Sequence, residues 1–444
     1  MALSLLAAGA RWVVLNQLGY TPGEVITYLE RRLRGHPKLE VVAHPVLNWL
    51  RRQVDADLRP EQAMPFVVPP LTPNPLKPDG ERQGYRDPAI IRVGPGRPIQ
   101  RIADAVKLAV DGSVIEVDPG DYVADVAVLN LPRLTIRGRG RDVRLIAMGA
   151  SAEGKAIWVV RRGTVVVEGI DFIGAKVHDQ NGAGIRLESG HLTVRRCRFL
   201  GNQTGILTTG DPNAVLEVEG SEFGYNGAGD GLSHGLYVGP IRRFRLTGSY
   251  VHHANGGHLV KSRARENRVE YNRLTDETGG RAAYELEFPN GGVAEVVGNV
   301  VQQGSNTRNS AIVAYGLEGL RWPDNRLSLV HNTLVNDHPW GGQFLRLSPV
   351  PVPVVSRNNL LVGHGKWPPV ADAGGDRRLD WRFFARPARQ DYRPSLAAWG
   401  GLGDPVPVPV APGLVPQWEY SHTAQWRRLA AAPVFPGAVQ TPSP

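Results

Sequence analysis

The chain has 444 residues, a net charge of +9, 52 Gly, 36 Pro and 7% aromatic residues. Gly and Pro punctuate turns, so this composition argues for many short elements and against a bundle of long helices. A single cysteine, Cys197, excludes an internal disulfide framework and a Cys-based metal site. The basic balance points to an anionic partner such as an acidic polysaccharide, a nucleic acid or a membrane surface, but no nucleic-acid-binding motif occurs, so nucleic acid is not expected.

The first ten residues are apolar but too short to span a bilayer and have no positive residue ahead of them, so they do not read as a signal peptide. A longer apolar stretch upstream of this start would make it a membrane anchor. Residues 1–58 read as a helical segment: Thr21-Pro22-Gly23-Glu24 has the form of an N-cap with Pro at the first helical position, followed by Val25, Tyr28, Leu29 and Leu33 at helical spacing. Residues 59–96 hold Pro65, Pro69, Pro70, Pro73, Pro75 and Pro78 without periodicity and read as an extended linker. A short helix pattern returns over Ile99–Val110, with Ile102, Ala105, Val106 and Ala109 on one face. An alternating strand and a Pro119-Gly120-Asp121-Tyr122 turn follow.

From there a repeat runs to about residue 365. Its unit is an apolar residue, two others, a small or Asn residue, one other, and an apolar residue. It appears as Val194–Cys197–Phe199, Val218–Ser221–Phe223, Leu246–Ser249–Val251, Val269–Asn272–Leu274, Val296–Asn299–Val301, Leu329–Asn332–Leu334 and Val355–Asn358–Leu360. From Cys197 the central position advances by 24, 28, 23, 27, 33 and 26 residues, a period of the repeat architectures. Stacking predicts an inward ladder of Asn272, Asn299, Asn332 and Asn358. The helix, strand and Pro-Gly-x-Tyr turn, followed by this repeat, resemble the pectin-lyase-like right-handed parallel β-helix family. The implied fold is an all-β solenoid, a single-stranded right-handed parallel β-helix over 97–365, with an N-terminal helical cap. Residues 366–444, rich in Pro and Trp, are then an irregular tail packed on the solenoid, as in many bacterial members. The resemblance also implies a periplasmic or extracellular setting.

Three segments at rung spacing carry the candidate chemistry: Asp230–Tyr237, Gly257–Arg263 and Tyr284–Gly292. In a solenoid their polar residues form one patch on a sheet face. Alternation with Leu259 inward puts His258 and Val260 outward; Lys261 would then point inward, which requires the strand to end or change register there. Lys261, His258 and Tyr284 are candidates to remove the C5 proton of a uronic acid, and Arg263 to hold its carboxylate. His234, Tyr237, Arg281, Tyr315 and Trp340 are candidate substrate contacts, the aromatic ones by stacking on sugar rings. Among Asp230, Glu285 and Glu287, the two glutamates are two apart on a strand and so share a face; two of these acids can serve as an acid/base pair, or the group can bind Ca²⁺, the one cofactor entertained; pairing with Lys261, Arg263 and Arg281 is the structural alternative. Lys261-Ser262 followed by Asn267 and Asn272 resembles the polysaccharide lyases of the chondroitinase B and alginate lyase type. The Arg-His-Gly of that type falls near Tyr284–Glu287, where no arginine stands. The Asp-Asp pair of polygalacturonases and the Asp-Pro-His-Asp of mannuronan epimerases are absent. The reading is an acidic-polysaccharide protein working by β-elimination or C5 epimerisation. A non-catalytic binding or envelope solenoid and a glycoside hydrolase are the alternatives.

Overall fold

The computed structural model describes residues 89–307, 309–386, 391–395 and 407–441. The helical readings over 21–55 and nearly all of the Pro-rich linker lie outside them. Three parallel sheets wind around one core. Sheet A has twelve strands, from Ile90–Val93 to Asp372–Gly374; sheet B has eleven, from Gly120–Val123 to Arg377–Leu379; sheet C has nine, from Ala127–Leu129 to Gln343–Leu347. Each complete turn of chain adds a strand to A, then B, then C, as Val293–Val297, Val300–Gln303 and Ala311–Tyr315 do. This is the expected parallel β-helix. The ladder is longer than 97–365: Ile90 pairs with Val114, inside the stretch read as linker, and Leu360 pairs with Arg377, inside the stretch read as tail. Prolines on both sides of Ile90–Val93 mask a strand that itself contains none.

A helix over Ile102–Leu108 covers the first rung with Ile102 and Ala105. The Asp125 carboxylate of a later rung accepts from the N–H groups of Ile102 and Ala103, at 2.6 and 2.9 Å, and so satisfies two helix-end donors that lack partners within the helix.

The repeat is the turn from A to B. One residue there is left-handed: Arg196, Tyr271, His331 and Asn358, or Gly169, Gly220, Gly248 and Gly298. The next residue points inward. Asn272 Nδ2 donates to Asn299 Oδ1 at 2.9 Å, Asn299 to Asn332 at 3.0 Å, and Asn332 to Asn359 at 3.0 Å. The last member is therefore Asn359, not the expected Asn358. Leu329 pairs with Ser356, which sets Asn359 against Asn332. Asn358 takes the left-handed position, where Asn is well tolerated, and bonds the backbone of Val408 through both amide atoms. Phe172, Phe199 and Phe223 stack on successive rungs at 4.9 and 4.7 Å between ring centroids.

The C-terminal tail packs on sheets A and B. Trp418 and Trp426 lie against Tyr271, Val297 and Val330, and Phe384, Tyr392 and Ala438 lie against Val300, Val335, Leu360 and Val362. A Cβ on Gly248, already left-handed, would enter the Trp426 ring. Among the described residues no helix is long and apolar enough to cross a membrane.

Candidate functional site

The outer face of sheet C carries one column of residues, one per rung: Tyr237, Lys261, Glu287, Ala314 and Arg346. Four rung steps make it about 19 Å long. Sheet B-to-C turns form one margin and bring His234, His258, Tyr284 and Trp340. Sheet C-to-A turns form the other and bring Arg263, Asn290 and Glu318.

The register in Gly257–Arg263 differs from simple alternation. Leu259 and Val260 both enter the core, Lys261 faces outward, and Ser262 turns inward to donate to Asn267 at 2.5 Å. Two consecutive inward residues supply the register change that an outward lysine requires. Val260 is thus a core residue and not an outward one.

Lys261 is the hub. Its ammonium lies 3.0 Å from Glu287 Oε2 and 2.8 Å from Glu318 Oε1. Arg263 Nη2 reaches Glu318 Oε2 at 2.6 Å, Nη1 reaches Asn290 Oδ1 at 2.5 Å, and Nε reaches the Tyr237 hydroxyl at 3.0 Å. Burial would raise the Glu318 carboxyl, but Lys261 and Arg263 outweigh it and hold the group below the ordinary range. Burial would likewise raise Glu287; the His258 ring and the Lys261 ammonium hold it below the ordinary range.

His258 is aligned by its neighbours. Its Nδ1 accepts the Tyr284 N–H at 3.2 Å, which leaves Nε2 to bear a proton 3.0 Å from Glu287 Oε2. His234 accepts the His258 N–H on Nδ1 at 3.0 Å and stacks on His258, with centroids 4.6 Å apart. Burial, then the charges of His258, Lys261 and Arg263, push His234 well below its ordinary value and keep it neutral. It is 3% exposed, so it positions His258 and does not reach a ligand. The Tyr284 ring lies over Ala311 and Ala314, and its hydroxyl is 3.4 Å from Arg346 Nη1. The small Ala314, between Glu287 and Arg346 in the column, leaves the room for that ring.

Other expected site residues do not join. Tyr315 is fully buried and donates to the Gly292 carbonyl at 2.5 Å, so it is core and not a sugar platform. Arg281 bonds Asn255 in a sheet B-to-C turn. Trp340 stays on the margin, 89% exposed in the turn before the strand of Arg346, apart from the Lys261 cluster. The three carboxylates expected to share Ca²⁺ are separated. Asp230 closes its own turn by accepting from the N–H groups of Leu232 and Ser233. Glu285 does not share a face with Glu287. It lies fully buried just before the strand, one place ahead of Leu286 as Leu259 is ahead of Val260. Burial, then repulsion from Asp276, raises it well above the ordinary carboxylate range, and a protonated core acid is a poor Ca²⁺ ligand. No group of three or more His, Cys, Asp or Glu able to hold a metal occurs among the described residues.

Glu318, Asn290 and Arg346 complete the patch without having been singled out by role. Asn290 lies within a flagged segment. Glu318 and Arg346 carry no motif, and Glu318 meets Lys261 across 57 residues of chain.

No family model matches the chain, and no curated protein matches it. Among solved structures it is similar to pectate lyase Pel9A, with a TM-score of 0.44 and 13% identity over 65% of this chain and 80% of that one. A likeness of that degree carries no argument about activity. The parallel β-helix described above rests on the strand order and register of this chain.

Proposed function

We propose that the outer face of sheet C binds an acidic polysaccharide and acts at the carbon bearing a uronate carboxylate, by β-elimination or C5 epimerisation. The observation that carries the reading is the convergence of Lys261 and Arg263 on one carboxylate, that of Glu318, at 2.8 and 2.6 Å. The same pair can hold a uronate carboxylate and stabilise the charge that spreads onto it when C5 loses its proton.

Roles within the candidate set follow from hydrogen bonding. An ion-paired lysine ammonium has no lone pair to take a proton, so Lys261 acts as the electrostatic partner of Arg263. His258 Nδ1 accepts from the Tyr284 N–H, and its Nε2 lies 3.0 Å from the Glu287 carboxylate as an ion-pair contact, so His258 orients Glu287. Tyr284, with its hydroxyl beside Arg346, is the group proposed to move protons. In elimination the base takes the C5 proton, the C5–H electrons form the C4–C5 double bond, and the C4–O bond breaks with its oxygen taking a proton. In epimerisation a proton returns to the opposite face of C5.

The test is ultraviolet absorbance of unsaturated uronates on alginate, pectate, glycosaminoglycans and bacterial exopolysaccharides, with deuterium exchange at C5 followed in parallel. A signal in either, abolished by Lys261→Met, supports the proposal. Silence in both on every polymer overturns it. New reducing ends without absorbance would instead identify a hydrolase.

A second reading, binding without turnover, is favoured by one feature: Lys261 and Arg263 are already neutralised by Glu287 and Glu318. Saturable binding with no product and no exchange would establish it.

A further inference from the structure

Lys261 touches two carboxylates, and they are built differently. The Glu287 side chain is 4% exposed and is fixed between His258 and Lys261. The Glu318 side chain is 43% exposed, and its carboxylate is paired with Lys261 and Arg263. Among the described residues, no group of its own turn donates to that carboxylate, unlike the carboxylate of Asp230, which closes the turn it stands in.

The backbone beneath Glu318 is held. Its N–H donates to the Pro289 carbonyl at 2.9 Å, the Gly316 N–H donates to the Phe288 carbonyl at 2.8 Å, and Asn290 Nδ2 donates to the Gly319 carbonyl at 3.2 Å. Farther along, Trp322 Nε1 donates to the Arg263 carbonyl at 3.1 Å. Only the side chain has to swing for the two cations to be released, and it has open solvent on one side to swing into. Exposed side chains change rotamer on the picosecond-to-nanosecond scale.

We infer that Lys261 and Arg263 form a carboxylate seat that Glu318 fills in the resting protein, and that an anionic ligand binds by displacing the Glu318 side chain. Glu318 is then a specificity-setting residue. A neutral sugar cannot replace its charge on the two cations, whereas a uronate carboxylate can. Asn290 and the Tyr237 hydroxyl, both on Arg263, keep the guanidinium in place while the carboxylates exchange. This inference rests on the proposed function only for its ligand, a uronate unit; the seat itself is defined by the chain's own contacts.

An internal competitor raises the apparent Kd by the reciprocal of the fraction of time the seat is empty, so a seat filled about nine-tenths of the time costs about tenfold in Kd. The experiment has two arms. In the first, sodium acetate is titrated against sodium chloride at equal ionic strength while the melting temperature is followed. Acetate should raise the melting temperature of Glu318→Gln, but not that of wild type or of the Arg263→Gln, Glu318→Gln double variant. In the second, calorimetry with tetragalacturonate and an alginate tetramer should give a Kd about tenfold tighter for Glu318→Gln than for wild type. Acetate acting alike on all three proteins overturns the seat. Oligouronates binding wild type and Glu318→Gln equally, or binding the variant more weakly, overturns displacement while leaving the proposed substrate class intact. A positive acetate arm with no oligouronate bound to either protein leaves the seat standing and removes the uronate reading.

Discussion

His258 Nε2 and Glu287 Oε2 stand 3.0 Å apart on adjacent rungs, both nearly closed to solvent, with the Lys261 ammonium on the same oxygen. A buried carboxylate is tolerable only because both partners face it, and each partner is itself held in place. The arrangement makes this part of the outer face of sheet C a structural element as well as a chemical one.

Glu287→Gln keeps the shape and removes the charge. Stability at pH 7 should fall by about 2–4 kcal/mol, read by urea denaturation. The Glu287 carboxyl is held below its ordinary value of 4.5, so its contribution is present above 4.5 and lost as pH falls through the folded value. Wild type and variant should therefore draw together as pH falls below 4.5. A difference that persists undiminished as pH falls would contradict the ion-pair account.

Tyr284→Phe removes a hydroxyl whose nearest polar neighbour is Arg346 at 3.4 Å and keeps the ring over Ala311 and Ala314. Stability should change by less than about 1 kcal/mol. If Tyr284 moves the proton, turnover in the absorbance or exchange assay should drop by about 10²–10⁴-fold with binding retained. An active Phe variant would pass that role to another group.

Asp276 lies fully buried, with both carboxylate oxygens accepting from the Ala282 N–H at 3.0 and 3.1 Å. Burial dominates and pushes its carboxyl up to about 7. A raised value means that the folded protein holds a proton the unfolded chain releases. The contribution is complete below the ordinary value of 3.8 and is lost as pH rises through about 7. Wild type should lose about 2–4 kcal/mol between pH 4 and pH 8 from this group. Asp276→Asn should flatten the profile and be the more stable protein at pH 8. Glu285, raised for the same reason, leaves a residual slope of the same sign. Parallel stability profiles for the two proteins would refute the assignment.

Asn299 is fully buried. It donates to Asn332 Oδ1 and the Val269 carbonyl, at 3.0 and 2.8 Å, and accepts from the Asn272 N–H at 3.0 Å. Asn299→Ala strands those partners inside the solenoid and should cost about 3 kcal/mol or more. Thermal unfolding is the check, and a change below about 1 kcal/mol would mean that the ladder is incidental to stability.

Much of this fold is legible from the chain because the repeat writes one structural instruction many times. The left-handed residue and the inward small or Asn residue at each A-to-B turn are local requirements, so they surface as a spacing. Asn359 is where that legibility slips by one place. Asn358 and Asn359 are both Asn, and strand pairing with Leu329, not residue type, decides which one faces the ladder.

The candidate patch is legible only in part. Lys261, His258, Arg263, Tyr237 and Tyr284 converge as their rung spacing suggests, whereas Glu285 and Tyr315 vanish into the core. Alternation assigns faces only once a starting register is known, and two consecutive inward residues at Leu259 and Val260 reverse everything that follows.

The sequence by itself determined the stacking period, the turn chemistry and the kinds of side chain present on neighbouring rungs, because those depend on local backbone conformation and on polarity. The tertiary structure alone decided that Glu285 is a core acid, that Lys261 faces outward from sheet C, and that Glu318 crosses from a distant turn to neutralise it. Long side chains select partners by distance through space, and a contact spanning 57 residues leaves no trace in the order of the chain.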